Sequence, residues 1–164
     1  MDRKKDSPDQ RTLGDPGSPA FRVDRYPFYL LNRAVSRYNI ILAPKLRAIG
    51  LDIPSWRVLM VLSEKSPRSI GQIAEASVIN LSTMMRIVQR MSDVGLITSA
   101  PSQHDARVTE VFLTEGGTAK LAEARTVTSP VYAKLIEGFS EPDFNDLIGL
   151  LNRLHDNLFQ IEAE

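Results

Sequence analysis

The stretch HDARVTEVFLTEGG, His104 to Gly117, decides the fold. Val108, Glu110 and Phe112 alternate along one side of the chain, the period-two pattern of a strand. Thr114 follows directly as a ready helix cap. In front stands a charged turn, so a short hairpin carries an acid and an arginine, Asp105 and Arg107, at its tip. What precedes the hairpin determines what such a tip is for.

Upstream lies SIGQIAEASVINLSTMMRIVQRMSDVGLI, from Ser69 to Ile97. Ile70, Ile73 and Ala74 mark a short helix. Asn80 caps a second, with Ile79 and Met84 spaced as a hydrophobic staple. At about 100° per residue, Met84, Ile87, Val88 and Met91 fall on one face. Ser82, Arg86 and Gln89 fall on the opposite face, with Thr83 and Arg90 at its edge. Gly95 stops the helix, and LITSA reads as a strand. Two short helices joined by a tight turn and followed by a two-stranded hairpin make a winged helix-turn-helix.

Longer helices flank this unit. One is expected from Pro27 to Gly50, with Leu31, Val35, Tyr38 and Leu42 at helical spacing and Pro44 kinking or dividing it. Asp52 caps the next, which carries Trp56, Leu59, Met60 and Leu62. Thr114 opens another, running to about Gly138 with a bend or interruption at Pro130. Ser140 and Asp143 form the capping box of the last, whose Phe144, Leu147, Leu151, Leu154, Leu158 and Ile161 are nearly heptad-spaced. The expected organisation is a disordered tail over 1–20, a dimerisation arm and helix over 21–50, the winged helix-turn-helix over 51–113, and dimerisation helices over 114–164. The fold class is mainly α with a small β-hairpin wing. The flanking helices are too apolar on one face for so small a core, which predicts a homodimer.

The bulk composition removes several classes of function. The 164 residues contain no cysteine, which excludes disulfides, thiolate metal sites and cysteine nucleophiles. No apolar run reaches the roughly 20 residues that span a bilayer, and the first residues lack the apolar core of a secretory signal. A cytoplasmic protein is expected. No HExxH, GxSxG or GxGxxG pattern occurs, so neither an enzyme nor a bound cofactor or metal is expected. Twenty basic and twenty acidic side chains give a net charge of zero, which by itself speaks against a nucleic-acid partner.

The hairpin tip speaks for one. In a solvated turn Asp105 would merely favour the bend and pair with Arg107, a contact worth little at a surface, whereas an arginine at a wing tip after a recognition-type helix can enter a minor groove narrowed by A·T-rich sequence. Asp105 would then hold the guanidinium of Arg107 in position. The hydroxyls of Ser82 and Thr83 suit base edges or phosphates, Arg86 can chelate O6 and N7 of guanine, and Gln89 and Arg90 extend the same face.

The segments GLDIPSWRVLMVL, SIGQIAEA, STMMRIVQRMSDVGLI, DARVTEVFLTEGG and FSEPDFNDLIGLLNRL occur in order and at suitable spacing. Together they resemble the multiple-antibiotic-resistance regulator (MarR) family of bacterial transcription factors, over roughly Pro27 to Leu158. The resemblance implies a dimer with interlocking terminal helices, two winged helices on a palindromic double-stranded DNA operator, and repression relieved by a small-molecule effector. It implies Ser82, Thr83 and Arg86 as recognition positions and Arg107 as the wing arginine. The chain departs from the family where Thr98, Ser99 and Ala100 replace frequent basic residues and Ala106 replaces a second arginine. Between Arg68 and Leu113 four arginines are cancelled by Glu75, Asp93, Asp105 and Glu110, which predicts moderate affinity. The rival reading is a protein-interaction module that keeps the winged fold without binding DNA. An effector pocket is expected around Tyr38, Trp56 and Met60, with Arg33 or Arg57 pairing the carboxylate of an aromatic acid.

Overall fold

The computed structural model describes residues 9–105 and 107–162. It is mainly helical, with α1 (Gln10–Gly14), α2 (Pro27–Arg47), α3 (Ile53–Glu64), α4 (Ile70–Ser77), α5 (Leu81–Asp93), α6 (Glu115–Leu135) and α7 (Glu141–Glu162). Three short strands, β1 (Arg68–Ser69), β2 (Ile97–Pro101) and β3 (Thr109–Leu113), form one sheet. The chain divides into two compact units, the first ending at Ala124 and the second beginning at Arg125, so α6 crosses the boundary.

The first unit is the winged helix-turn-helix with α2 and the start of α6. Its core takes Leu42 and Leu46 from α2, Leu59 and Leu62 from α3, Ile73 from α4, and Met84, Ile87, Val88 and Met91 from α5. All four expected stripe residues of α5 are therefore buried, and the opposite face is exposed. Asp52 caps α3 by accepting from Ser55 N at 2.8 Å, and Asn80 caps α5 by accepting from Thr83 N at 2.9 Å. In the turn between α4 and α5, Val78 has φ 54°, a left-handed conformation that a β-branched side chain adopts only under strain.

The sheet is three-stranded in the order β1-β3-β2, where a two-stranded hairpin is expected from the sequence. β2 and β3 pair antiparallel from Ile97 opposite Leu113 to Pro101 opposite Thr109. β1 adds Arg68 opposite Val111 and Ser69 opposite Glu110. Two residues are too few to show alternation, so the extra strand has no local signature.

The wing returns to the end of α5 through Thr114. Its hydroxyl donates to Gly95 O at 2.7 Å and accepts from Gly117 N at 2.9 Å, capping α6. Gly117 passes so close to Leu96 that a Cβ there would overlap the Leu96 carbonyl. Lys120 Nζ donates to Ile49 O at 2.9 Å, tying the start of α6 to the turn after α2.

Other boundaries differ from the expectation. α2 ends at Arg47 and is not divided at Pro44, which lies between the buried Leu42 and Leu46; their packing offsets the lost helical bond. α6 likewise continues past Pro130 and ends at Leu135. Residues from Asp9 onward are not a featureless tail. Asp9 caps α1, Arg22 N donates to Leu13 O at 2.8 Å, and a Cβ at Gly14 would stand 2.7 Å from Arg25 O. The remainder of the expected tail, residues 1–8, lies outside the described residues.

In the second unit Ser140 and Asp143 form the expected box at the start of α7, with Asp143 N donating to Ser140 Oγ at 3.3 Å and Ser140 N to Asp143 Oδ2 at 3.0 Å. Leu147, Leu151, Leu158 and Ile161 are exposed in the single chain, and Phe144 and Leu154 are half-buried. Among the described residues no helix is long and apolar enough to cross a membrane.

Candidate nucleic-acid interface

The tip of the wing is built by Asp105. Its Oδ1 accepts from Arg107 N at 3.0 Å, which closes the turn, and Val108 N donates to Asp105 O at 2.9 Å. The same carboxylate accepts from Arg107 Nε and Nη2, each at 3.0 Å. The Arg107 side chain, and next its backbone amide, hold the Asp105 carboxyl below its ordinary value. An exposed pair of this kind adds little to stability. It does fix direction. Two guanidinium donors are engaged and the remaining N–H groups have no partner among the described residues, on a side chain 91% exposed.

α5 presents its polar face beside the wing. Ser82 Oγ donates to Asn80 Oδ1 at 3.0 Å, which leaves the hydroxyl lone pairs as acceptors. Thr83 is exposed, and Arg86 is exposed with no hydrogen-bond partner among the described residues. Gln89 Nε2 donates to Asp93 Oδ1 at 2.8 Å along the helix.

Arg90 has a partner within the protein that the sequence does not show. Its Nη2 lies 2.6 Å from Asp52 Oδ2 and donates to Ser55 Oγ at 3.2 Å, so it holds α5 against the start of α3. Only Nη2 is engaged there, on a side chain 56% exposed, so Arg90 has a role within the protein beside the DNA contact expected of it. Burial pushes the Asp52 carboxyl up, but hydrogen bonds from Ser55 and the charge of Arg90 leave it below its ordinary value.

The opposite flank of α5 carries residues that sequence reasoning missed. Leu81 and Met85, one turn apart, are 53% and 55% exposed. With Arg107 and Val108 they line a groove of about 320 Å³. Their signal was available in the sequence, as two apolar residues lying off the buried stripe.

The expected effector residues are only partly together. Tyr38 is half-buried, burial raises its phenol, and the charge of Arg57 acts on it in the opposite sense. Arg57 Nη1 donates to Ser77 O at 3.5 Å. Trp56 is buried, and among the described residues its Nε1 has no acceptor and Asn39 Oδ1 and Ser77 Oγ have no partner. Met60 is exposed at the surface of α3. Arg33 instead lies 5.7 Å over the ring of Tyr29. Among the described residues no group of acidic and histidine side chains is placed to hold a metal.

The sequence model of the MarR family matches residues 49–108. The chain is 38% identical over 144 residues to the HTH-type transcriptional repressor IacR of Pseudomonas putida, an alignment covering 88% of this chain and 86% of that protein. A MarR family transcriptional regulator from Silicibacter pomeroyi superposes with a TM-score of 0.77 at 29% identity, over 87% of this chain and 95% of that one. A second regulator from the same organism gives 0.76 at 26% identity, over 83% and 92% of the two chains. With the wing, the capped recognition-type helix and the Leu-Thr-x-x-Gly junction in place, the conclusion is direct: the chain belongs to the MarR family.

Proposed function

We propose that the protein is a dimeric, sequence-specific DNA-binding repressor that reads a palindromic operator and is released by a small aromatic acid. The observation that carries this reading is the wing tip. Asp105 aims an exposed Arg107 guanidinium outward, beside an α5 whose Ser82, Thr83 and Arg86 are turned to solvent. A buried, fully paired tip would have suited a protein-interaction module instead. The likeness to a transcriptional repressor at 38% identity favours the DNA reading over that rival.

In this reading α5 enters the major groove and Arg107 the adjacent minor groove. Ser82, committed as a donor to Asn80, accepts from an exocyclic amine of adenine or cytosine. Arg86 takes the two acceptors of a guanine. Gln89 keeps its carbonyl oxygen for a more distant contact. The relatives are transcription regulators, and the same absence of enzymatic activity is proposed here.

Support for the effector comes from Arg57, which donates to Ser77 O and whose charge acts on Tyr38, and from the buried Trp56 Nε1, which has no acceptor among the described residues. A buried indole N–H without an acceptor costs free energy unless something fills its place. An acid whose carboxylate accepts from both Arg57 and Trp56 Nε1, with its ring against Tyr38, would offset that cost. Trp56 is the single tryptophan, so its emission reports on the site directly. Titration with a panel of aromatic acids, benzoate among them, is expected to change it saturably with at least one. Unchanged emission throughout contradicts the pocket.

The DNA reading is tested by fluorescence anisotropy on duplexes enriched from a random pool. Arg86→Ala is expected to cost about 1–3 kcal/mol at one base pair and little once that pair is changed. Equal weakening on every duplex would make Arg86 a phosphate contact.

A further inference from the structure

The groove between α5 and the wing is apolar where a nucleic-acid surface is ordinarily charged. Leu81 and Met85 form its α5 wall and Val108 stands on the wing side, with Arg107 in the same lining. Neither Leu81 nor Met85 contributes to the buried core, which Met84, Ile87, Val88 and Met91 already fill. The other flank of α5 is occupied by the Arg90 contact to Asp52 and Ser55. Each exposed apolar residue is followed directly by a polar one, Leu81 by Ser82 and Met85 by Arg86. The helix therefore carries an apolar strip running beside its polar strip, both open to solvent.

Base edges in the major groove offer one apolar group, the 5-methyl of thymine. The groove is bordered by α5, the wing and the start of α4, so a duplex that takes α5 and Arg107 together passes over it. We propose that Leu81 and Met85 are specificity residues that read a thymine methyl, so that each half-site carries a thymine next to the base contacted by Arg86. This inference rests on the DNA-binding reading. A small molecule or a partner protein in the groove would be indifferent to a single methyl on the duplex.

The test uses the full chain and duplexes enriched from a random pool. Each thymine is replaced in turn by deoxyuridine, which lacks only the methyl. One or two positions per half-site are expected to weaken binding about fourfold, the worth of one buried methyl. In Leu81→Ala or Met85→Ala that sensitivity falls below about twofold at the matching thymine, while melting temperature is unchanged because both side chains are exposed. Uracil tolerated at every position by the wild type overturns the inference and leaves DNA binding standing. Sensitivity that persists in both variants, or variants that weaken thymine and uracil duplexes alike, also overturns it. Enrichment of no sequence at all overturns both readings together.

Discussion

The Arg90 guanidinium of α5 stands 2.6 Å from the carboxylate of Asp52, the residue that caps α3 thirty-eight positions earlier. One acid thereby serves two helices: it closes the first turn of α3 and fixes the angle at which α5 leaves the core. Loss of the cap in Asp52→Ala is expected to cost about 1 kcal/mol. Arg90→Ala costs less, since the pair is partly solvent-screened, and the double variant costs less than the sum. Urea unfolding of the four proteins checks this; strict additivity would show that the contact couples nothing.

The same pair gives a pH dependence with a definite sign. The folded Asp52 carboxyl titrates below its unfolded value of about 3.9. Its stabilisation is therefore complete above that value and is lost as pH falls through the lower folded one. Thermal unfolding between pH 7 and pH 3 should show a shallower acid loss for Asp52→Asn than for the wild type. Identical acid limbs would contradict the assignment.

Gly117 is the most demanding position of the wing junction. A methyl there would overlap the Leu96 carbonyl and stand 2.7 Å from Leu113 Cδ1. Gly117→Ala is expected to reach or pass the upper end of the roughly 1–3 kcal/mol range for overpacking. At Gly116 the added Cβ stands 3.1 Å from Gly95 O, and about 1 kcal/mol of helix propensity offsets the crowding. Gly116→Ala should thus be near neutral by urea unfolding. Equal costs for the two variants would refute the close-approach account.

What the sequence made legible follows the range of the forces involved. The caps at Asp52, Asn80, Thr114 and Ser140 are local hydrogen bonds within three residues, so the residue type announces them. The α5 stripe is equally local in its period. The role of Arg90 was not legible, because its partner is set by how α3 and α5 cross in space. Strand β1 was hidden for the same reason: Arg68 and Ser69 are strand only by virtue of β3 beside them. At the site, Asp105 and Arg107 declared themselves by proximity in sequence. Leu81 and Met85 did not, because a polar-face reading passes over apolar residues until their exposure is seen.

The apolar residues of α7 predict assembly. Leu147 and Leu151 are 37% exposed in the single chain, Leu158 47% and Ile161 68%, so each still has part of the about 1.5–3 kcal/mol of full burial to gain. Pairing with a second copy removes them from water and sets two recognition helices about one two-fold axis. Glutamate at both Leu151 and Leu154 is expected to give a monomer by sedimentation and to abolish operator binding with it. A stable monomer of that variant with full DNA affinity would refute the coupling of dimer and function.

The most direct test of the DNA-binding account is the affinity of Arg107→Ala for a duplex the wild-type protein selects. The Arg107 side chain is 91% exposed and, among the described residues, is held by Asp105 alone, so its removal leaves the core untouched. Losing a charged hydrogen-bonding contact of about 1.5–3 kcal/mol should weaken binding roughly tenfold or more. Melting temperature and sedimentation should remain those of the wild type. Unchanged affinity in the same anisotropy titration would contradict the account.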